Sequence, residues 1–268
     1  SWYQRWIDNG FGSELNEANI PNMTNVMDAI IKPFRAITPN SLSAVPYDYG
    51  TTGIAYNTKH VSKEEAEALG ANLLLKKEHK GKIGGWGGDW ANRAWYGALQ
   101  SNQDPNNIQD WDAVWEKARE HRGLIVKYWE SGAELMDLLA KEEIYVTEAW
   151  SGRVAALQAQ GHPIGYLDPK NGLAWMESMF VLKGSPMADA EELLNFMLAP
   201  ETALAVAEGQ KYPSSLDPNK VAMSDTIKGL PAFDPTGKLE GLVFRDPTTW
   251  NPVEKAQKKQ WNRIKKGA

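Results

Sequence analysis

The 268-residue sequence contains no cysteine, which excludes disulfide bonds, thiolate metal sites and cysteine nucleophiles. It contains only four histidines, and no His, Asp and Glu residues cluster at the spacing of metal ligands. We therefore expect neither a metal nor another cofactor. No apolar run approaches the roughly 20 residues that a membrane-spanning helix needs. The chain opens on "SWYQRWIDNG" without a signal-peptide pattern.

An excess of positive charge is also missing, since the formal net charge is −5. This balance argues against nucleic acid as a partner, because nucleic-acid-binding surfaces are usually basic. Lysines and arginines do collect near the end of the chain, between residues 255 and 266. Glutamines and a tryptophan lie among them, so we interpret the cluster as the solvated face of a terminal helix.

Tryptophan, by contrast, is abundant, with twelve residues. A helical spacing of i, i+4 places Trp111 and Trp115 in a core. Four others stand at turns beside glycine or charged residues, where we expect them to line a cleft: Trp86, Trp90, Trp150 and Trp175.

Strands alternate with amphipathic helices of about ten residues, which is typical of α/β proteins with mostly parallel sheets. The stretch 41–58 is predicted as two short strands joined by Gly50-Thr51-Thr52-Gly53. Strands near 47–56 and 173–182 are the expected crossings between two domains. In such sheets ligands bind where a strand ends and the next helix begins. Two corners fit this rule, "GGWGGDWANR" (84–93) and "EAWSGRVAAL" (148–157).

The first corner allows two interpretations. Asp89 is a conventional helix N-cap, and the glycines before it can simply form a tight turn. Alternatively, the glycines let a ligand approach the backbone, with Trp90 and Arg93 projecting from the first helical turn. The P-loop and dinucleotide-binding spacings are both absent.

The second corner places Trp150 at a strand end and Ser151 at an expected helix N-cap. The nucleophile pattern G-x-S-x-G is absent and no histidine is suitably placed, so hydrolase chemistry is disfavoured. Arg153 lies in the first helical turn, where a cation is unfavourable unless it meets an anion. That anion is either a surface acid or a ligand carboxylate.

In "AWMES", Trp175 and Glu177 lie two residues apart on a strand and therefore on the same face. An aromatic ring beside a carboxylate attracts organic cations through cation–π and charge interactions.

Four segments in order resemble the periplasmic polyamine-binding proteins of ABC importers, the spermidine/putrescine-binding group: "PYDYGTTGIAYNT", "EAWSGRVAALQAQGHPI", "GLAWMESMFVLKGSP" and "LLNFMLAPETALAVAEGQKYP". The resemblance implies an α/β, two-lobe periplasmic-binding-protein fold of type II that closes on a ligand and docks on a membrane permease. It also implies a periplasmic location, a monomer and no enzymatic activity. On this pattern lobe 1 comprises 1–50 and 177–215, and lobe 2 comprises 51–176 and 216–268.

The resemblance also implies which residues contact the ligand. Trp150 matches a cleft tryptophan, Trp175 and Glu177 match a Trp-x-acid pair, and Tyr212 matches a tyrosine before a Tyr-Pro turn. Ser1 and Tyr3 match a Ser-x-Tyr pair that touches the ligand.

Two departures from the family pattern bear on the ligand. Family members carry a strand–helix–strand segment before the position of Ser1, so the first lobe is expected to be incomplete here. An acid pair after the glycine-rich turn is replaced by Trp90 and Arg93, with Asp89 one residue away. Arg93 and Arg153 therefore argue against a long polycation. Two ligand classes stay open for an importer's receptor: a small amine such as putrescine or spermidine, and a zwitterion such as γ-aminobutyrate. The other hypotheses are an enzyme on the same two-lobe scaffold and a structural or interaction fragment.

Overall fold

The computed structural model describes residues 2–267, which form two compact units. Unit 1 comprises Ser1–Gly50 and Trp175–Leu242, and unit 2 comprises Thr51–Ala174 and Val243–Ala268.

Seven strands are present in the described residues: β1 (Ala44–Asn57), β2 (Ile83–Trp86), β3 (Ile125–Trp129), β4 (Val146–Trp150), β5 (Ile164–Leu167), β6 (Leu173–Phe180) and β7 (Val243–Phe244). The α-helices of residues 2–267 are α1 (Trp2–Asp8), α2 (Asp28–Ile37), α3 (Lys63–Leu69), α4 (Trp90–Gln100), α5 (Trp111–Arg122), α6 (Gly132–Ala140), α7 (Ser151–Ala159), α8 (Met187–Met197), α9 (Pro200–Gln210), α10 (Asp225–Lys228), α11 (Pro247–Trp250) and α12 (Glu254–Lys265). Short 3₁₀ turns lie at Glu17–Asn19, Pro21–Asn25, Gly70–Leu75 and Lys77–His79.

The strands form a mixed sheet in the order β3-β2-β4-β1-β6-β7, with β5 also paired to β1. β2 runs parallel to β3 and β4, while β1 pairs antiparallel with β4 and β5. The α/β class is as predicted, but the expectation of a mostly parallel sheet is only partly met. Both β1 and β6 start in one unit and end in the other.

The prediction of two short strands within 41–58 is wrong, because β1 is a single strand of 14 residues. Its residues from Thr52 to Tyr56 pair without interruption with β4, from Trp150 back to Val146. This continuous ladder satisfies the backbone groups that a turn would have left open. The Gly50–Gly53 stretch is therefore extended chain inside the sheet.

Helix starts follow the sequence signals in most cases. The Ser62 side chain accepts a hydrogen bond from the Glu65 N–H at the start of α3, and Asp89 accepts one from the Ala91 N–H at the start of α4. These contacts satisfy backbone donors that a helix N-terminus leaves open. Pro200 is the first residue of α9, which explains the break between α8 and α9.

The segment after α9 belongs to unit 1, whereas the family pattern predicted 216–242 as part of the second lobe. Backbone hydrogen bonds join Ser215 N–H to the Tyr47 carbonyl (2.9 Å) and Asp217 N–H to the Asn25 carbonyl (2.7 Å). The Asp234 N–H also donates to the Tyr49 hydroxyl (3.2 Å). These links are between residues far apart in the sequence, and the segment has no strong strand or helix pattern to reveal them.

Unit 2 has a tryptophan-rich core. One cluster of buried residues lies among α4, α5, α11 and α12, and its tryptophans are Trp90, Trp95, Trp115, Trp250 and Trp261. Buried Trp indoles find acceptors, since Trp95 Nε1 donates to the Asn171 carbonyl and Trp115 Nε1 to Gln257 Oε1. A second cluster contains Trp129 with leucines of α6 and Leu157 of α7.

Two Gly→Ala changes are expected to differ in their effect on stability, because only Gly97 lies in the close contact between α4 and α5. A Cβ on Gly97 would lie 2.6 Å from the Val114 carbonyl oxygen, whereas a Cβ on Gly209, in α9, meets nothing within 4 Å. We expect Gly97→Ala to destabilise the protein by about 1–3 kcal/mol through overpacking. Gly209→Ala should be neutral or stabilise it by up to about 1 kcal/mol through helix propensity. Urea unfolding measures both, and equal effects would contradict the close helix contact.

Candidate functional site

An acidic and aromatic group of side chains lies in unit 1, on β6, β1 and the segment after α9. Glu177 is exposed on β6, and its Oε2 accepts a hydrogen bond from the Tyr47 hydroxyl at 2.5 Å. Trp175, two residues earlier on the same face, packs edge-on against Tyr212 with ring centroids 4.9 Å apart. We call Tyr47, Trp175, Glu177 and Tyr212 the acid–aromatic cluster. Glu177 forms no ion pair with any residue of 2–267.

A second carboxyl group, Asp48, lies in β1 beside this cluster. The residue is only 2% exposed, and both carboxyl oxygens are buried without a well-formed hydrogen bond to any described residue. Burial, followed by the charge of Glu177, raises the pKa of Asp48 to about 7. Burial and the hydrogen bond to Glu177 also raise the pKa of Tyr47, so its hydroxyl stays a donor.

Tyr3 does not present its hydroxyl to a ligand, which corrects the expectation drawn from the Ser-x-Tyr pair. Its ring is 7% exposed and packs against Phe34, and its hydroxyl bonds Thr38 Oγ1 (2.6 Å) and the Ser43 N–H (3.1 Å). These contacts join α1 to α2 and to the start of β1. Ser1, its expected companion, lies outside the described residues. Tyr212 is also buried, at 5%, but it contacts Trp175 directly and stays a predicted site residue.

In unit 2, three tryptophans form one contact group at strand ends. Trp86 and Trp129 stack with centroids 5.6 Å apart, and Trp150 lies edge-on to both at 5.1 Å. Trp129 is fully buried, while Trp86 and Trp150 keep part of their surface exposed. Exposed indole surface can cover the methylenes of a ligand or face a cation. The expectation that Trp86 and Trp150 line a cleft therefore stays a prediction. The buried Trp129 ring packs against both of them.

Arg153 lies against the start of α6. A Cβ on Gly132 would be 2.8 Å from its Nε atom and 3.3 Å from the Trp150 ring, so the three residues are neighbours. The side chain is half-buried and has interactions of its own within the protein. A ligand contact for Arg153 stays a prediction.

Arg93 is not available to a ligand, and this prediction is corrected. It is 1% exposed and forms a buried ion pair with Glu148 of β4, with Nη1 to Oε1 at 2.8 Å. The guanidinium also donates to Gln100 Oε1 (2.6 Å) and contacts His121 Nδ1 (2.7 Å). Its charge is therefore matched within unit 2.

This buried network contains an ion pair beside a histidine whose pKa is lowered. Burial raises the pKa of Glu148, and the Arg93 guanidinium opposes that shift. Burial and the adjacent guanidinium lower the pKa of His121 well below its ordinary value. The neutral imidazole then accepts from Arg93 at Nδ1. Glu148 Oε2 also accepts a long hydrogen bond from the Trp86 N–H (3.4 Å), so the network reaches the tryptophan group.

The glycine-rich corner is explained by packing within unit 2. Asp89 caps α4 through Oδ1, and its Oδ2 pairs with Arg245 at 2.6 Å. Trp90 is 8% exposed and packs on Trp250, so its predicted role in lining a cleft is corrected to a core role. A Cβ on Gly87 would lie 2.4 Å from Glu130 Oε1. This glycine makes room for a carboxylate of the protein itself.

Ser151 is not the helix cap that the sequence indicated. It is the first residue of α7, whose N-cap is Trp150, and its Oγ accepts a hydrogen bond from the Thr51 N–H at 3.3 Å. It is fully buried, and no histidine is among its hydrogen-bond partners. Ser151 therefore secures β1 to α7 within unit 2.

Among residues 2–267, no three His, Cys, Asp or Glu side chains are grouped so as to hold a metal ion. The same part of the chain contains no helix with the length and apolarity to span a membrane.

Tyr47, Asp48 and Glu148 were not among the residues predicted from the sequence. An aspartate inside a strand such as "AVPYDYG" is itself a signal, because Asp is depleted in strands. A glutamate at position 148, inside a buried strand, is a similar signal. The partners of these residues are distant in sequence and could not be read from it.

Comparison with known proteins agrees with this architecture. Residues 1–235 match the family described as bacterial extracellular solute-binding protein. Because the match covers most of the chain, the chain belongs to this family. The class of function of the family is solute binding.

Two relatives and one solved structure illustrate the similarity. A putrescine/agmatine-binding protein of Pseudomonas aeruginosa is 24% identical over 282 residues, covering 98% of this chain and 76% of the relative. A γ-aminobutyric acid-binding protein of the same organism is 32% identical over 126 residues, covering 47% of this chain and 35% of the relative. The crystal structure of the spermidine/putrescine ABC transporter substrate-binding protein PotD from Streptococcus pneumoniae superimposes with a TM-score of 0.77 at 20% identity, covering 98% and 81% of the two chains. The last similarity shows the fold.

Proposed function

We propose that this chain is the solute receptor of an ABC importer, which captures a small amine at the acid–aromatic cluster and delivers it to a membrane permease. The observation that carries the proposal is Glu177, an exposed carboxylate that lacks an ion-pair partner among the described residues. Trp175 supplies aromatic surface beside it, and the buried Tyr212 ring packs against Trp175. A ligand ammonium would complete the ion pair and lie against the Trp175 ring.

The Tyr47 hydroxyl orients the carboxylate for this task. Its hydrogen bond holds Oε2 and leaves the second oxygen of Glu177 for a ligand. A carboxylate fixed in this way loses less side-chain entropy on binding than a freely rotating one. The putrescine/agmatine-binding relative supports a diamine-type ligand, and family membership supports action outside the cytoplasmic membrane.

The structure weakens the argument for a zwitterion, because Arg93 is buried and paired with Glu148. A zwitterion such as γ-aminobutyrate remains the second candidate, supported by the γ-aminobutyric acid-binding relative and by Arg153. Calorimetric titration with putrescine, spermidine, agmatine and γ-aminobutyrate distinguishes the two. Tighter binding of γ-aminobutyrate than of any polyamine would replace the amine proposal with the zwitterion one.

Glu177→Gln is the variant that tests the site. Hydrogen bonds to charged groups contribute about 1.5–3 kcal/mol. We therefore expect putrescine affinity to fall about tenfold to a hundredfold, at 1.4 kcal/mol per factor of ten. Calorimetry at pH 8 measures the change.

The matched control is Glu201→Gln, which neutralises an exposed carboxylate in the first turn of α9, also in unit 1. It should bind putrescine as the unmodified protein does. Equal affinity of the Glu177 variant and the control would refute the proposed site.

A further inference from the structure

Asp48 is a buried carboxyl group for which the described residues supply no cation, and a hydrogen bond from the Glu177 backbone is the contact that lowers its pKa. It lies in β1, two residues before unit 1 gives way to unit 2, and opposite Ser214 in an isolated antiparallel bridge. Neither carboxyl oxygen has a well-formed hydrogen bond to a described residue. Buried polar groups are nearly always hydrogen-bonded, and buried charges are nearly always paired. The exception at Asp48 therefore calls for a functional explanation.

The titratable groups whose charges act on Asp48 are acidic or neutral. On β6 the titratable group is Glu177, and on β1 itself it is the Tyr47 hydroxyl, which donates to Glu177. The segment after α9 contributes Ser214, whose Oγ accepts from the Leu216 N–H. No lysine or arginine of the described residues pairs with Asp48 or Glu177. Asp48 and Glu177 thus interact electrostatically, and no cation of the described residues pairs with either carboxyl group.

Two unpaired carboxyl groups close together cannot both ionise without mutual repulsion. Burial makes Asp48 the one that keeps its proton, and its pKa of about 7 agrees with this placement. A cation that arrives at Glu177 changes the balance, because its charge stabilises an ionised carboxylate nearby even through the protein interior.

We propose that Asp48 is a second acidic group of the amine site, which releases its proton when an ammonium group binds at Glu177. The inference rests on the proposed function. The carboxyl O–H bond breaks, its electron pair stays on the carboxylate, and the proton passes to solvent. The positive charge of the ligand replaces that of the proton, so the net charge of the site is unchanged.

This exchange gives the site a preference for ligands with excess positive charge. A diamine stabilises the ionised Asp48 with its ammonium group. A zwitterion brings a carboxylate of its own, which offsets that stabilisation when it lies nearby. Asp48 is therefore a specificity-determining residue that acts through charge and makes no direct contact with the ligand.

Calorimetric titration of putrescine at pH 6, 7 and 8 tests the inference. Each titration is repeated in two buffers that differ in ionisation enthalpy, which gives the number of protons released. We expect release approaching one proton at pH 6, and affinity about tenfold weaker at pH 6 than at pH 8, as linkage to one group of pKa near 7 requires. Asp48→Asn should release no proton and bind with nearly the same affinity at both pH values.

Asp189→Asn is the control, since Asp189 is an exposed carboxyl group in the first turn of α8, also in unit 1. It should keep the pH dependence of the unmodified protein. If putrescine binds with no proton release, or if Asp48→Asn still releases one, the inference is wrong while the proposed function stands. If no amine binds at all, both are wrong.

A measurement on the unmodified protein tests the inference even if the Asp48→Asn variant folds poorly. Carbon-13 NMR of the unmodified protein follows the Asp48 carboxyl signal with pH, and adding putrescine should shift its midpoint down by about two pH units or more. A ligand-free midpoint below about 5, close to an ordinary aspartate, would overturn the inference on its own.

Discussion

Replacing Arg93 with methionine is expected to destabilise the protein by about 3–5 kcal/mol, because it leaves Glu148 as an uncompensated buried charge. Both side chains are almost completely buried, at 2% and 1% exposure. Methionine preserves much of the volume but supplies none of the donors to Glu148, Gln100 and His121. Urea unfolding at pH 7 measures the change.

The double variant Arg93→Met with Glu148→Met separates charge from packing. Buried ion pairs can often be replaced by apolar residues with little loss of stability. We therefore expect the double variant to regain most of the stability lost in the single variant. A double variant as unstable as Arg93→Met would show that packing, and not the unpaired carboxylate, dominates.

An exposed ion pair provides the matched control. Lys141, directly after the end of α6, pairs with Asp137 of that helix, and both side chains are more than half exposed. Such pairs contribute little, because solvent and salt screen them. Lys141→Met should leave the urea midpoint unchanged, and a loss as large as that of Arg93→Met would contradict the role assigned to burial.

Arg93 also illustrates which parts of the fold the sequence could reveal. The cap of Asp89 on α4 and the start of α9 at Pro200 were predictable, because each depends on residues within a few positions. The ion pair of Arg93 joins residues 55 positions apart, so the sequence showed an arginine at a helix start without its partner. The prediction therefore assigned Arg93 to a ligand.

The same limit explains the tryptophans and β1. Trp90 and Trp150 both follow the pattern of a strand-to-helix corner, yet Trp90 packs on Trp250, which lies 160 positions later in the sequence. The sequence of Gly50–Gly53 is typical of a turn, but β1 continues through it and pairs with β4. Glu177 and Trp175, by contrast, share a face through simple strand alternation, and the sequence placed them together. Local periodicity was predictable, and long-range pairing was not.

Asp48→Asn is expected to make the protein more stable at pH 8 while leaving its stability near pH 4 almost unchanged. The pKa of Asp48 is about 7 in the folded protein, whereas an unfolded chain has an aspartate pKa of about 3.9. Between these values the folded state holds a proton that the unfolded state lacks, so the free energy of unfolding decreases as the pH rises from about 4 to 7. At 1.36 kcal/mol per pKa unit, the gap of about three units corresponds to a loss of at most about 4 kcal/mol.

Asparagine has nearly the shape of a protonated aspartate and does not titrate, so it removes this loss. The difference in the free energy of unfolding between variant and unmodified protein should therefore be near zero at pH 4, grow through pH 6 and reach its full value by pH 8. Urea unfolding at these pH values measures it, with Asp189→Asn expected to show no such trend. An Asp48→Asn protein that is less stable than the unmodified protein at pH 8 would mean that the ionised carboxylate has a stabilising partner. The charge repulsion between Asp48 and Glu177, on which selection of a cation depends, would then be absent.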